Sequence, residues 1–354
     1  MHHILLKKIL KKTLSVLFVT MFVFTLVVGS LIVFGGPADT KPMSSVSSPF
    51  KNVDYSAMPA YTTFEARDSA KLSYRAYKGI LKAQGKEILG SVVLGSVVLV
   101  HGSSGNSQSM HVIAQGFAEA GYDAYALDIR GHGASGEHGQ ITYIGQLEHD
   151  IEDFMQHAKA KTPSTLLGFS SGGGFVLRFA GSTQNAIFDN YVLISPFLSH
   201  EAPTYRPNSG GWVRVGIPRI VAITILNRFG ITAFNHMIVS KFGVQAHMKT
   251  KLTSEYSFAM LSNFKPQDDY LRNIRAIKQP TAVLVGGGDE LFFAEQFAPV
   301  FKTENPSISV TLTPNIGHVA MTLDSQAIIQ AIDAVQKLNQ KLSQNVNEKI
   351  NKKP

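Results

Sequence analysis

Hydrophobic positions follow three patterns along this chain. Residues 14–34 read LSVLFVTMFVFTLVVGSLIVF, uncharged throughout and interrupted only by Thr, Ser and Gly. From about residue 60, short apolar runs alternate with amphipathic stretches. The run at 96–100, SVVLV, is continuously apolar after its serine, as in a strand buried on both faces. The alternation predicts an antiparallel pair of strands at 62–67 and 72–77, then strands at 96–100, 123–127, 165–169, 191–194, 282–285 and 308–312. Helices are predicted at 107–120, 144–160, 172–180, 294–301 and 323–342. Strands and helices alternating at this length imply right-handed crossovers and a mostly parallel, doubly wound α/β sheet. Such a sheet binds its ligands at the carboxyl ends of its strands.

Three stretches depart from this rhythm. GSVVL occurs at 90–94 and again at 95–99. Five residues are too few for an architectural repeat, so the first copy reads as an edge extension of the strand. Residues 197–266 contain Trp212, the single tryptophan, and IVAITIL at 220–226, too short to cross a bilayer. This region is expected to be a helical insertion covering the sheet. Residues 343–354 are polar and lysine-rich and are expected to fray.

The first apolar run matches the roughly 20 residues with which a helix crosses a hydrocarbon core, and exceeds the usual hydrophobic region of a signal peptide. Lysines 7, 8, 11 and 12 precede it, whereas the stretch after it is nearly uncharged. The positive-inside tendency then keeps the N-terminus cytoplasmic and sends the remainder across the membrane. The alternative is export with cleavage near Ser30 or Ala38. The expected organisation is a basic flank (1–13), a transmembrane signal-anchor (14–34), a linker (35–59), a globular domain (60–342) with its insertion, and the polar tail.

Charge adds little to this picture. The net +8 comes mostly from the N-terminal lysines and from Lys341, Lys349, Lys352 and Lys353 near the other end, leaving the body close to neutral. A basic face for nucleic acid is therefore not expected. The chain has no cysteine, which removes disulfides, thiolate metal sites and a thiol nucleophile together.

The candidate chemistry falls at strand ends. GFSSG, 168–172, follows a predicted strand and opens a predicted helix. A serine on so tight a turn needs small residues two places to either side. Gly168 and Gly172 meet that need around Ser170, whereas centring on Ser171 would put Phe169 at one of those places. Ser170 is thus the candidate nucleophile, and the backbone N–H of Ser171 a candidate oxyanion donor. A serine hydroxyl needs a base, itself oriented by a carboxylate. The later strand 282–285 runs into GGGDE, which carries Asp289, and strand 308–312 is followed by His318 behind Gly317. Glu290 is the alternative acid, less favoured because Asp289 is nearer the strand end. His2, His3, His149, His157 and His247 lack such a context.

At the end of strand 96–100 stands HGSSG, 101–105, whose small residues allow backbone N–H groups to face a developing oxyanion. Ser103 is the expected second donor, and His101 is expected to be structural. Another strand end carries DIRGHGASGEHG, 128–139, where Asp128 and Arg130 can brace neighbouring loops. His132, His138 and Asp128 on this loop lack the helical spacing of a metal site, and neither metal nor cofactor is expected.

HGSSG, DIRGHGAS, GFSSG, GGGDE and IGH, in that order, resemble the α/β-hydrolase superfamily, in its branch of lysophospholipase-like, monoacylglycerol-lipase-like and serine-aminopeptidase-like proteins. The resemblance covers roughly 62–342 apart from the insertion, which it implies is the cap. It implies Ser170 as nucleophile, Asp289 as acid and His318 as base. After His101-Gly102 the chain has Ser-Ser-Gly-Asn, not the histidine-containing stretch of typical monoacylglycerol lipases. Haloalkane-dehalogenase-like and epoxide-hydrolase-like chemistry need a carboxylate where Ser170 stands. The expected activity is hydrolysis of a carboxylic ester of a small molecule or lipid through an acyl-enzyme. The alternatives are an aminopeptidase- or amidase-type hydrolase and a non-catalytic binding protein that keeps the fold.

Overall fold

A computed structural model describes residues 2–83, 86–89 and 93–351. Its centre is an eight-stranded sheet of β1 (Thr62–Glu65), β2 (Lys71–Tyr77), β3 (Ser96–Val100), β4 (Asp123–Leu127), β5 (Ser164–Phe169), β6 (Asn190–Ile194), β7 (Thr281–Gly286) and β8 (Ser309–Thr313). The spatial order is β1-β2-β4-β3-β5-β6-β7-β8. β2 pairs antiparallel with β1 and β4, and every pairing from β4 to β8 is parallel. The order turns around β3, so β4 and β5 lie on opposite sides of it and their carboxyl ends flank one crevice.

Side-chain alternation along β3 divides the core in two. Val97 and Leu99 join the layer completed by helices α2 (His111–Glu119) and α9 (Ser325–Asn351). Val98 and Val100 face the layer of α3 (Gln146–Ala158) and α4 (Ser171–Ala180). Burial of a Val or Leu contributes about 1.5–3 kcal/mol each, so a one-residue slip of β3 would exchange the contents of the two layers at large cost.

The region 197–266 contains helices α5 (Ile217–Arg228) and α6 (Phe258–Asn263). It also forms a small antiparallel sheet in which Ile238–Phe242 lies between Val213–Val215 and Glu255–Ser257, an addition to the expected helical composition. Two further helices, α7 (Tyr270–Ala276) and α8 (Phe297–Glu304), close the face that carries α3 and α4.

The first apolar run lies in α1 (His2–Phe34), which is long and apolar enough to cross a membrane by length and composition. Most of it is exposed, but Val28 and Ile32 are buried against Ala222 and Ile223 of α5 and against Phe258. Arg219 donates from Nε to the Ile32 carbonyl at 2.7 Å and from Nη2 to that of Val33 at 3.1 Å, capping the end of α1. The stretch expected to be a linker runs along the insertion. Thr40 Oγ1 donates to the Phe242 carbonyl at 2.7 Å, Met43 N donates to the Gly243 carbonyl at 3.0 Å, and Lys241 meets Asp39 at 2.7 Å.

Two further differences from expectation are local. A hairpin joins Ile80–Ala83 to Lys86–Leu89, and the first GSVVL copy lies at 90–92 outside the described residues, with Val93 and Leu94 irregular. The helix expected to stop at 342 runs to Asn351, because no glycine or proline intervenes to end it.

Candidate active site

Between Phe169 at the end of β5 and Ser171 at the start of α4, Ser170 takes a positive φ of 55° with ψ of −119°. This unfavourable backbone lifts its side chain above the carboxyl end of the sheet. The turn is closed on both sides. A Cβ at Gly168 would come 2.3 Å from the Gly172 carbonyl oxygen, and one at Gly172 would come 2.3 Å from that of His101. Glycine is therefore a steric requirement at both places. The backbone of Ser170 is fixed by donation to the Ile194 carbonyl at 2.9 Å.

Asp289 and His318 come from the loops after β7 and β8. Gly287 N donates to the Thr313 carbonyl at 2.7 Å and Gly288 N to that of Ile316 at 2.9 Å, drawing the two loops together. His318 Nδ1 then lies 2.7 Å from Asp289 Oδ2, and His318 Nε2 lies 2.9 Å from Ser170 Oγ. All three side chains are buried. Asp289 Oδ1 accepts the N–H groups of Leu291 and Phe292, each at 2.9 Å. Burial pushes the Asp289 carboxyl up, but the nearby charge of His318 and these hydrogen bonds outweigh it and hold the group below its ordinary value. Glu290, the alternative acid, accepts the backbone N–H of His318 at 2.9 Å and does not reach the ring. The rings of Phe169 and Phe292 pack on the imidazole at 4.8 and 5.1 Å between centroids.

Ser103 and Ser171 line the same cavity as Ser170. Among the described residues, neither backbone N–H has a protein acceptor, which leaves both available to an anionic oxygen. The Ser103 side chain is engaged elsewhere: Trp212 Nε1 donates to its Oγ at 2.9 Å. That link between the insertion and the loop after β3 was not read from the sequence, although a lone tryptophan in an inserted segment was the available signal.

The remaining candidates fall away from this centre. His101 is buried, donating from Nδ1 to the Gly102 carbonyl at 2.8 Å and accepting the Ile129 N–H at Nε2 at 3.3 Å. Acceptance at Nε2 requires a neutral ring, and burial lowers its pKa accordingly. Asp128 accepts backbone N–H groups of Ser107 and Ala134, each at 2.7 Å, and Arg130 pairs with Asp150 at 2.7 Å and Asp68 at 3.0 Å. His132 meets Tyr256 Oη at 2.7 Å and His138 the Gly133 carbonyl at 3.0 Å, so these side chains brace loops. His149 and His157 contact Tyr143 and Tyr74, His247 lies in a short turn of helix in the insertion, and His2 and His3 belong to α1.

A cavity of about 960 Å³ extends from Ser170 between the sheet and the insertion, with Trp212, Ile217, Ile220, Phe258 and Leu261 among its apolar walls. A smaller cavity of about 310 Å³ adjoins Ser103 and Trp212 and is walled by Val46, Phe50 and Met248. A serine in contact with an imidazole, two free N–H groups and an apolar chamber together suit attack on the carbonyl of a substrate with an apolar portion.

Comparison with known proteins agrees with this arrangement. A family model described as serine aminopeptidase, S33, matches residues 92–322. A monoacylglycerol lipase of Mycolicibacterium smegmatis is 36% identical over 111 residues, which is 30% of this chain and 39% of that relative's length. A soluble variant of monoglyceride lipase from Saccharomyces cerevisiae, solved with a substrate analogue, superposes with a TM-score of 0.59 at 16% identity, over 83% of this chain and 98% of that one. A bacterial membrane phospholipase A superposes with a TM-score of 0.51 at 16% identity, over 94% of this chain and 99% of that one. At such identities the superpositions speak to the fold.

Proposed function

The chain belongs to the serine aminopeptidase S33 family of α/β-hydrolases, and from that premise we propose that it is a membrane-anchored serine hydrolase cleaving a carboxylic ester of a lipid-like substrate. The observation that carries the reading is the continuous contact Ser170 Oγ to His318 Nε2 at 2.9 Å and His318 Nδ1 to Asp289 at 2.7 Å. In this reading His318 removes the Ser170 proton as Oγ attacks the ester carbonyl. The N–H groups of Ser103 and Ser171 stabilise the tetrahedral oxyanion. His318 then protonates the departing alcohol, leaving an acyl-serine. Water, deprotonated by the same imidazole, releases the carboxylic acid and regenerates Ser170.

The apolar cavity favours an ester with a hydrocarbon portion, in keeping with what the lipases among its relatives are named for. An aminopeptidase would need a free carboxylate to hold the substrate ammonium. Among the described residues, Asp268 is the one carboxylate in the cavity wall, and it is paired with Lys265 at 2.8 Å. Esters are therefore the better-supported class. The anchor reading of α1 places the N-terminus in the cytoplasm and the hydrolase domain on the other side, on the lysine asymmetry alone.

Purified protein treated with a fluorophosphonate is expected to be labelled once, with the label lost in Ser170→Ala, and to turn over p-nitrophenyl esters in preference to aminoacyl anilides. Labelling that survives the substitution, or preference for the anilides, refutes the assignment.

A further inference from the structure

Ser103 stands between two peptide units, and each is held by a side chain outside the Ser170, His318 and Asp289 contact. A trans peptide sets its N–H antiparallel to the carbonyl of the same unit. In the first unit, the Gly102 carbonyl accepts His101 Nδ1 at 2.8 Å and the Gly105 N–H at 3.2 Å, so the Ser103 N–H is turned the other way. This turn lies against the nucleophile: a Cβ at Gly102 would come 3.1 Å from that of Ser170. In the second unit, Ser104 N donates to Tyr256 Oη at 2.9 Å. Ser104 keeps a φ of 64°, a left-handed value that costs a serine free energy and needs an external hold.

The hydrogen bonds behind that hold allow one arrangement of protons. The Arg130 carbonyl, 3.2 Å from His132 Nδ1, has no proton to give, so Nδ1 carries one. His132 Nε2, 2.7 Å from Tyr256 Oη, then accepts the phenol proton, and the lone pairs of Oη face the Ser104 N–H. His132, Tyr256 and Ser104 are all buried, so removing one member leaves its neighbour unpaired. Burial keeps the imidazole well below its ordinary pKa and the phenol above its own, which holds both neutral. The rings of His132 and Phe242 pack on Tyr256 at 5.2 and 4.6 Å between centroids and fix where Oη points.

Tyr256 belongs to the insertion, in the strand Glu255–Ser257, whereas Ser104 follows β3 and His132 follows β4. We propose that Tyr256, oriented by His132, is a positioning residue: by holding the peptide between Ser103 and Ser104 it keeps the Ser103 N–H aimed at the tetrahedral oxyanion. Without that hold Ser104 relaxes to negative φ, its peptide unit turns, and Ser103, shared by both units, swings with it. This assignment rests on the ester-hydrolase reading of the site. It adds that the insertion completes the catalytic turn as well as covering the cavity.

Full-length protein in detergent carrying Tyr256→Phe keeps the ring and the cavity wall but offers the Ser104 N–H no acceptor. Against a soluble short-chain ester, kcat is expected to fall on the order of thirtyfold with KM within about twofold, short of the roughly 10²–10³ that follows outright loss of an oxyanion donor. A trifluoromethyl ketone, to which Ser170 Oγ adds to form a tetrahedral oxyanion, is expected to bind more weakly by the same factor. Tyr191→Phe is the matched control. It also removes a buried phenol hydrogen bond, to the Asn185 carbonyl at 2.7 Å, but near the amino end of β6, away from the catalytic rim, and is expected to match the parent kcat. His132→Gln disturbs the same hold from behind, with an expected loss of about fivefold in kcat and no further loss when added to Tyr256→Phe. Unchanged kcat in Tyr256→Phe, or a fall that the ketone affinity does not follow, overturns the inference, and so does an equal fall in Tyr191→Phe. If Tyr256→Phe does not fold, His132→Gln decides alone: a joint loss of kcat and ketone affinity supports the inference, and parent values of both overturn it. A parent chain that hydrolyses no ester and takes no fluorophosphonate at Ser170 removes the hydrolase reading and the inference with it. An active parent with unaltered variants leaves that reading standing and removes the inference only.

Discussion

Glu290 holds the backbone of His318 through its N–H at 2.9 Å, while the adjacent Asp289 holds the ring of the same histidine at 2.7 Å. Neighbouring carboxylates thus take separate tasks, one fixing the position of the loop and the other the orientation of the imidazole. Asp289→Asn is expected to lower kcat on the order of 10⁴-fold, because the amide favours the wrong tautomer of His318. Glu290→Gln retains an acceptor for the backbone N–H and is expected to stay within about threefold of the parent, while Glu290→Ala loses roughly tenfold. Steady-state kinetics on a soluble ester decide this. An equal collapse in Asp289→Asn and Glu290→Gln means the acid has been wrongly assigned.

The depressed pKa of Asp289 has a consequence for stability. A carboxylate with a folded-state pKa below its unfolded value contributes stability above the unfolded value and loses it as pH falls through the folded one. The ordinary value is 3.8. In detergent solution, Asp289→Asn is therefore expected to be less stable than the parent at neutral pH, with the gap closing as pH falls below the ordinary carboxyl value. Urea midpoints across that range test it. A gap that widens in acid contradicts the sign.

Gly172 and Gly29 form a contrasting pair. A Cβ at Gly172 meets the carbonyl oxygens of His101 at 2.3 Å and Val100 at 2.7 Å, whereas one at Gly29 meets nothing within 4 Å. Gly172→Ala is expected to destabilise by about 1–3 kcal/mol or more and to abolish fluorophosphonate labelling. Gly29→Ala, near the end of α1, is expected to leave both unchanged. Thermal melting with labelling at fixed time reads the comparison, and intact labelling in Gly172→Ala would falsify the steric account of the turn.

Trp212 supplies an internal signal, being the only tryptophan and a wall of both cavities. A long-chain fluorophosphonate bonded to Ser170 is expected to shift its emission, and a Ser170→Ala protein given the same reagent is expected to show no shift. Trp212→Phe keeps an aromatic ring but removes the donor to Ser103 Oγ, with an expected loss of about fivefold in kcat. Emission that ignores the attached chain means the chain does not run past Trp212.

What could be read from the residues alone followed from how narrowly each position is constrained. The turn at Ser170 tolerates only glycine two places to either side, so its motif was legible without coordinates. That Asp289 and His318 meet at Ser170 was legible because the strand ends of a doubly wound sheet bring the loops after β7 and β8 to the same rim. The separate tasks of Asp289 and Glu290 were not, since both are carboxylates on one loop and differ only in the direction the backbone gives them. Nor were the strands Val213–Val215, Ile238–Phe242 and Glu255–Ser257, which are short and paired across long separations, so that tertiary contact outweighs local propensity. The composition of residues 35–50 resembles a free linker, and only Phe242 and Gly243 reveal that it is bound.

That bound stretch changes how the protein searches for its target. About fifteen unattached residues would allow the body to wander roughly 20 Å from its mooring. Pinned through Thr40 and Met43, the body keeps a fixed position relative to α1, so that in the proposed membrane-anchored state its height and tilt are set and enzyme and substrate meet by sideways drift in the plane of the bilayer. Turnover in such a geometry follows the number of target molecules per unit area of surface, and diluting the membrane with inert lipid slows it while diluting the suspension does not.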